Sequence, residues 1–334
     1  MMQAAIFNGV GRALTVERIA CPKPGPGEVL IRVQRCGICG SDLHMTEDPI
    51  FCIPVGAVLG HEFTGEIVEL GRDVENLKIG DRVSVVPISS CGRCAACLSG
   101  KPVACAEMKL HGGGYAEYTA VHERQCVRLP STVGVKESAL VEPLAVGLHG
   151  VIRAEMKPGA RILVIGVGPV GLATIFWARR LGAGLIAATA SSMARAEMAL
   201  GMGADIFLDP EDAGPKASAL ALGGPPDIVF ECVGKPGLIQ LAIDHVRPRG
   251  TVLVLGLCTT QDTFMPFGAL NKEVRLQMAA FYDIADFTRA VDALDRGATE
   301  PSAMITNEVS LSDMPEAFEK LKRRTHQCKV LVKP

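Results

Sequence analysis

The stretch "RILVIGVGPVGLATIFWARRLG", residues 161–182, leaves a chain little choice of fold. A short apolar strand, a glycine-rich turn and an apolar helix closing on Gly182 follow one another without a spacer. The turn, Gly166–Gly171, reads G-x-G-x-x-G. Alone that pattern is weak; between a strand and a helix it is the turn of a dinucleotide-binding βαβ unit. Gly166 permits the tight turn, and Gly168 lets the backbone approach a pyrophosphate at the helix N-terminus. Pro169 and Val170 open the helix, and Gly171 lets it pack on the strand.

The same grammar continues downstream. "GLIAATA", "DIFL", "DIVFEC" and "TVLVLGL" read as strands, with the helical segments "MARAEMALGMG" and "KPGLIQLAIDHV" between them. Such alternation implies right-handed crossovers and a parallel, doubly wound sheet. It fades after residue 281, and "HQCKVLVKP" reads as a strand again. Residues 1–148 differ: "EVLIRVQRC", "FTGEIVEL" and "DRVSVVPI" are short strands separated by Gly/Pro clusters. The expected organisation is a β-rich domain over 1–148, a Rossmann domain over 149–281, and a segment 282–334 beyond it. With 334 residues the chain is long enough for two domains.

A dinucleotide fold places an acid about 20 residues beyond the glycines, at the end of the second strand, to bind ribose hydroxyls. Here Ala190 stands in that place, followed by Ser191, Ser192 and Arg195. With no carboxylate to repel it, a 2′-phosphate can be bound by these groups, which favours NADP over NAD. The alternative, Arg195 merely covering the adenine, stays open. Gly234, Leu255 and Gly256 lie at strand ends.

Other classes lose ground on composition. A formal charge of −2 leaves no basic footprint for nucleic acid or an anionic membrane, and 4% aromatic residues offer few stacking platforms. The N-terminal "MMQAAIFNGVGR" has no signal-peptide core, and the apolar run Ile162–Ala178 is short and interrupted by glycine and proline. A cytoplasmic protein is expected. Twelve cysteines in such a chain favour metal binding over disulfides. Cys21, Cys36, Cys52, Cys126, Cys232, Cys258 and Cys328 stand singly and read as free thiols.

The other cysteines fall in two places. Cys91, Cys94, Cys97 and Cys105 have two, two and seven residues between them, a spacing open to a metal site or an iron–sulfur cluster. "CGICGSDLH" and "LGHEFTGE" carry Cys39, His61 and Glu62, which are zinc-type ligands, and "LVEPLAVGLHG" adds Glu142.

In these motifs the chain resembles the zinc-dependent medium-chain dehydrogenases, the alcohol, sorbitol and threonine dehydrogenase family. The resemblance spans nearly the whole chain: "GPGEVLIRV", "CGICGSDLH", "GHEFTGEIVELG", "GDRV", the cysteine lobe, "GGYAEY", "EPLAV", "GVGPVG" and "KVLVKP". It implies an α/β protein with a GroES-like β-rich catalytic domain and a Rossmann domain, the last segment returning to the catalytic domain. It implies two zinc ions per chain. Cys39, His61, Glu62 and Glu142 match the catalytic zinc site; which glutamate touches the metal stays open. Cys91, Cys94, Cys97 and Cys105 match the closed structural zinc lobe. Ser41 and His44 match the relay that carries the alcohol proton to solvent. To Gly234, Leu255 and Gly256 the resemblance assigns the nicotinamide end of the cofactor.

The implied activity is an NAD(P)-dependent alcohol dehydrogenase, and Glu142, where alcohol dehydrogenases proper have cysteine, points to a secondary alcohol or polyol and its ketone. The family also implies a homodimer or homotetramer. One departure is the short "AEMKLH" between Cys105 and "GGGYAEY". It suggests a pocket open to a bulkier or cyclic alcohol, unless "AAFYDIADF" fills the space. Two other classes fit the residues less well: a zinc-free quinone or enoyl reductase, which generally lacks these ligands, and a non-catalytic cofactor-binding protein, which has no need of a proton relay.

Overall fold

The structure, a computed structural model, describes residues 1–323 and 326–334. The chain forms two compact units, residues 1–142 with 283–334, and residues 143–282. The first division falls at 142/143, six residues before the expected 148/149 and near the start of the helix Val141–Arg153. Strand–helix alternation becomes visible in the sequence only where that helix ends.

The first unit is built on a sheet in the order Ile305–Ser310, Lys329–Lys333, Glu28–Gly37, Glu62–Leu70, Arg82–Val85, Cys126–Arg128, with Tyr118–His122 also paired to Glu28–Gly37. The first two strands are parallel to each other; the remaining pairings are antiparallel. Alternate residues of these strands, among them Val29, Ile31, Val33, Ile67, Val83 and Val85, fill one core together with Phe63, Tyr115 and Phe318. Strand Glu28–Gly37 is central, with Gly37 opposite Glu62 on one side and Leu331 on the other. Residues 305–333 therefore complete the sheet that residue 28 begins.

The second unit is a six-stranded, all-parallel sheet in the order Ile206–Phe207, Leu185–Thr189, Arg161–Ile165, Ile228–Glu231, Thr251–Val254, Arg275–Met278. Numbered along the chain this is 3-2-1-4-5-6, the doubly wound order in which ligands sit beyond the strand ends where the order reverses. Strands buried on both faces explain the nearly unbroken apolar runs seen in the sequence. Among the described residues no helix is long and apolar enough to cross a membrane.

Candidate functional site

The metal-ligand candidates sit at the ends of the central strands of the first unit. The chain leaves strand Glu28–Gly37, turns at Cys39, and enters the helix Gly40–Glu47. His61 precedes the neighbouring strand Glu62–Leu70, so antiparallel pairing brings the two loops side by side. One ligand atom from each of Cys39, His61 and Glu62 then falls within 4.8 Å of the other two. Ser41 Oγ lies 3.2 Å from Cys39 Sγ and 3.4 Å from His61 Nε2. His44 is on the same helix one turn on, half-buried as Ser41 is.

The imidazole of His61 is oriented from behind. Its Nδ1–H donates to Asp42 Oδ1 at 3.1 Å, which leaves Nε2 as the atom presented toward Cys39 and Ser41. Asp42 is buried, yet it stays ionised. Burial pushes its carboxyl up, but His61, the Tyr115 hydroxyl and the Cys39 N–H together hold it below the usual range. His61 is affected in the opposite sense. Burial pulls its pKa down, and the charges of Asp42 and Cys39 override this and raise it well above the ordinary value. Surroundings that favour a proton on Nε2 favour a metal cation there for the same Coulombic reason. Thiolate, imidazole and carboxylate together make a zinc donor set.

Glu62 is not a bare carboxylate. Both its oxygens accept from Lys329 Nζ, with Oε1 at 2.6 Å, and the ammonium also donates to Ile38 O at 3.2 Å. Gly37 makes room for this pair, since a Cβ there would come within 2.1 Å of Glu62 Oε2 and 3.0 Å of Lys329 Cδ. Glu142 is buried in the first turn of Val141–Arg153 and lies outside the 4.8 Å group. It follows a 3₁₀ turn, Glu137–Leu140, that Ser138 fastens to strand Glu62–Leu70 by donating to Thr64 Oγ1 at 3.1 Å.

The four cysteines of the lobe also converge. Sγ separations are 3.9 Å for Cys91–Cys97, 3.5 Å for Cys94–Cys97 and 3.6 Å for Cys91–Cys105. These are far beyond a disulfide bond. Four thiolates about 2.3 Å from one tetrahedral zinc stand about 3.8 Å apart, which is the spacing found. Backbone N–H groups aid the thiolate state: Glu107 N–H donates to Cys105 Sγ at 3.4 Å, and N–H groups of Arg93 and Cys94 lower the Cys91 pKa. A hydrogen bond from Ser90 leads in taking Cys97 down to about 6. The short segment after Cys105 pairs antiparallel with the strand that precedes the lobe, Lys109–Leu110 against Ile88–Ser89. Ile284 N–H caps the lobe by donating to Gly100 O at 2.9 Å, at the start of the helix Ile284–Asp295.

In the second unit the glycines occupy the positions that the motif demands. Gly166 has φ +96°, and a Cβ there would meet Val233 at 2.4 Å; one on Gly171 would meet Gly166 O at 1.8 Å. A Cβ on Gly168 would meet nothing within 4 Å, so its open face points to unfilled space at the N-terminus of the helix Pro169–Arg180, which Pro169 and Val170 begin. Gly234 and Gly256 lie back to back beyond the fourth and fifth strands, where a Cβ on Gly256 would come 2.1 Å from Gly234 N. Leu255 N–H donates to Glu231 O at 2.8 Å. Glu231, which the sequence alone did not single out, accepts from Val233 N and Gly234 N at 2.7 and 2.9 Å and holds that turn. Ala190 follows the second strand, Ser191 and Ser192 are exposed, and Arg195 Nη1 donates to Val167 O at 3.3 Å across the glycine-rich turn.

Comparison with known proteins agrees with both halves. Residues 25–131 match the family described as alcohol dehydrogenase GroES-like domain, and residues 169–296 match zinc-binding dehydrogenase. The chain is 34% identical to (R,R)-butanediol dehydrogenase of Bacillus subtilis, over 100% of both chains. It is 31% identical to sorbitol dehydrogenase of the same organism, over 100% of this chain and 97% of that one. Among solved structures, a putative zinc-binding dehydrogenase from Sinorhizobium meliloti bound to NADP superposes with a TM-score of 0.91 at 32% identity, covering 100% of this chain and 99% of that one. With two family matches, full-length relatives and a donor set suited to zinc, the chain belongs to the zinc-dependent medium-chain dehydrogenases.

Proposed function

We propose that this protein interconverts a secondary alcohol of the polyol class and its ketone, with NADP in preference to NAD. The observation that carries the reading is the convergence of Cys39, His61 and Glu62 beside Ser41. Relatives named for sorbitol, butanediol, xylulose and idonate support the substrate class. Cys39 and His61 hold a catalytic zinc, with carboxylate donors drawn from Glu62 and Glu142. Cys91, Cys94, Cys97 and Cys105 hold a second, structural zinc. When bound, the zinc supplies Lewis-acid polarisation of the alcohol oxygen and the nicotinamide supplies the hydride acceptor.

The chain's own groups do the rest. Asp42 keeps His61 in the tautomer that offers Nε2. Lys329 balances the charge of Glu62 within the core. Ser41, in reach of both Cys39 and His61, takes the substrate's proton, and His44, one helical turn away, passes it to solvent. Gly166, Gly168 and Gly171 seat the pyrophosphate at the helix N-terminus, and Gly234 with Gly256 keeps backbone, not side chain, at the nicotinamide end. Arg195 with Ser191 and Ser192 receives the 2′-phosphate that an acid at position 190 would repel.

The chain works as a homodimer or homotetramer in the cytoplasm. The edge strand Arg275–Met278 carries the exposed Met278, and the segment just before it in the sequence carries the exposed Met265, Phe267 and Leu270, apolar surface that a second copy would cover. None of the twelve cysteines is in a disulfide, which suits a reducing compartment.

Absorbance at 340 nm tests the reading, with NADP⁺ and NAD⁺ side by side against secondary, cyclic and polyhydroxy alcohols. Turnover on a polyol, faster with NADP⁺, is the expected result. Activity that survives Cys39→Ser or His61→Ala would overturn the zinc chemistry.

A further inference from the structure

Tyr115 lies 54 positions beyond His61 in the sequence, within "GGYAEY" but with no role assigned to it above, and it reaches the back of the metal site. Its hydroxyl donates to Asp42 Oδ2 at 2.5 Å, with Gly37 O a longer contact at 3.5 Å. The other oxygen of the same carboxylate, Oδ1, is the one that receives Nδ1–H of His61. Tyr115, Asp42 and His61 are all buried, so this line of contacts runs through the core with no route for bulk solvent.

A carboxylate turns easily about its last torsion, because sp³–sp² rotations have broad minima. If Asp42 were anchored by His61 alone, the pair could swing together and Nε2 would wander. Two donors fix the other end: the Tyr115 hydroxyl and Cys39 N–H, at 3.1 Å, both on Oδ2. With Oδ2 pinned from two directions, Oδ1 can point only at the imidazole.

The phenol is itself fixed to the turn that presents His61. Gly60 has φ +83°, and a Cβ there would come 2.6 Å from the Tyr115 ring, so the ring lies flush on the backbone just before His61. Tyr115 N–H donates to Leu59 O at 3.1 Å and Gly114 N–H to Gly60 O at 2.9 Å. Phe318 packs against the ring in a T-shaped arrangement, with centroids 6.4 Å apart and planes at 82°. A ring gripped on three sides has little freedom, and its hydroxyl hydrogen has one short acceptor.

We propose that Tyr115 is a positioning residue for the metal ligand His61, acting through Asp42. Its hydroxyl fixes the Asp42 carboxylate, the carboxylate fixes the imidazole, and the affinity of the Cys39–His61 site for zinc depends on that chain. The proposal rests on the zinc reading of this site. Outer-shell partners of metal-bound histidines typically matter by about 10- to 100-fold in metal affinity; one step further out, about tenfold is expected here.

The test compares wild type, Tyr115→Phe, Asp42→Asn and the double variant. Zinc is removed by dialysis against a chelator and titrated back in competition with a chromophoric chelator. Co²⁺ is loaded in parallel, and its visible spectrum reports ligand geometry. Tyr115→Phe keeps the ring and removes only the hydroxyl. The expected result is about tenfold weaker zinc at one of two sites and an altered Co²⁺ spectrum there. Retention of zinc by the four-cysteine lobe should be unchanged, and Asp42→Asn should be no worse with Tyr115→Phe added.

Unchanged affinity and spectrum in Tyr115→Phe would overturn the proposal. A loss that adds in full to that of Asp42→Asn would overturn the route through Asp42. Should Tyr115→Phe not fold, Asp42→Asn alone carries the test, and wild-type affinity there refutes the chain of contacts. Wild-type protein that binds zinc only at the four cysteines refutes the zinc reading itself. That outcome is distinct from two tight sites in wild type and no change in the variant.

Discussion

Lys329 and Glu62 form an ion pair in which neither side chain is more than 1% exposed, and the two residues are 267 positions apart. Burial pulls the lysine's pKa down, and the charges of Glu62 and Cys39 override it and raise it above the ordinary value, so the ammonium stays charged. Removing one partner of a buried pair leaves the other charge uncompensated. Lys329→Met should cost about 3–5 kcal/mol of stability. Thermal denaturation checks this, and Lys329→Met combined with Glu62→Gln should recover much of the loss. A single variant as stable as wild type would show that water reaches Glu62.

The lobe cysteines should behave as a unit separate from turnover chemistry. Cys105→Ser is expected to lower bound zinc by one ion per chain and to reduce Tm, because structural zinc contributes directly to folding. The Co²⁺ spectrum of the Cys39–His61 site should be retained in whatever protein stays folded. Elemental analysis beside a melting curve separates the two effects.

Cofactor choice should turn on one loop. Arg195→Ala removes a charge-assisted bond worth about 1.5–3 kcal/mol, so KM for NADP⁺ should rise about tenfold or more while NAD⁺ is little affected. Ala190→Asp sets a carboxylate where the 2′-phosphate is proposed to lie and should reverse the preference. Steady-state kinetics with both cofactors decides it; equal losses for both would assign Arg195 to the adenine.

The proton path gives a prediction on rate. Ser41→Ala should lower kcat by about 10²-fold, the lower end of what positioned proton transfer contributes, with zinc content unchanged. Activity close to wild type would remove Ser41 from the path.

Acid should loosen the second unit through His245. Burial holds its imidazole near pKa 4, Lys272 assists, and Asp244 opposes; Ser218 Oγ lies 2.7 Å from its Nδ1 and its Nε2 has no hydrogen-bond partner. An unfolded histidine takes up its proton near 6.5, so between pH 6.5 and 4 the unfolded chain binds more protons than the native one. Stability is then whole above pH 6.5 and falls as pH drops toward 4, by at most about 3 kcal/mol from this residue. Denaturant melts of wild type and His245→Gln across this range should differ in slope if His245 is responsible.

The glycine motif and the four-cysteine lobe were legible because each is local. Gly166, Gly168 and Gly171 act within one turn, and Cys91, Cys94 and Cys97 within seven residues. Cys39, His61 and Glu62 needed long motifs to be recognised, since only strand pairing joins them. The groups behind them left no such trace. Asp42 at the start of a helix reads as a residue serving the helix end, and it does accept from Cys39 N–H; nothing local says that its other oxygen faces His61. Tyr115 is 73 residues from Asp42, in a bend before the strand Tyr118–His122, and nothing local in "GGYAEY" says that its hydroxyl reaches that carboxylate. Lys329 belongs to a residue type almost never fully buried, so a sequence reading puts it in water. The one hint is its place beside "VLV" in a segment that reads as a strand.

The sheet of the first unit is finished by strands that the ribosome delivers after the whole of the second. A nascent chain therefore holds Glu28–Gly37 and Glu62–Leu70 with one flank unzipped, and Glu62 without its counter-charge, throughout synthesis of residues 143–282. The nucleotide-binding half is contiguous and can close first. The Glu62–Lys329 pair is therefore among the last contacts of the first unit to form, after residues 143–282 have been made.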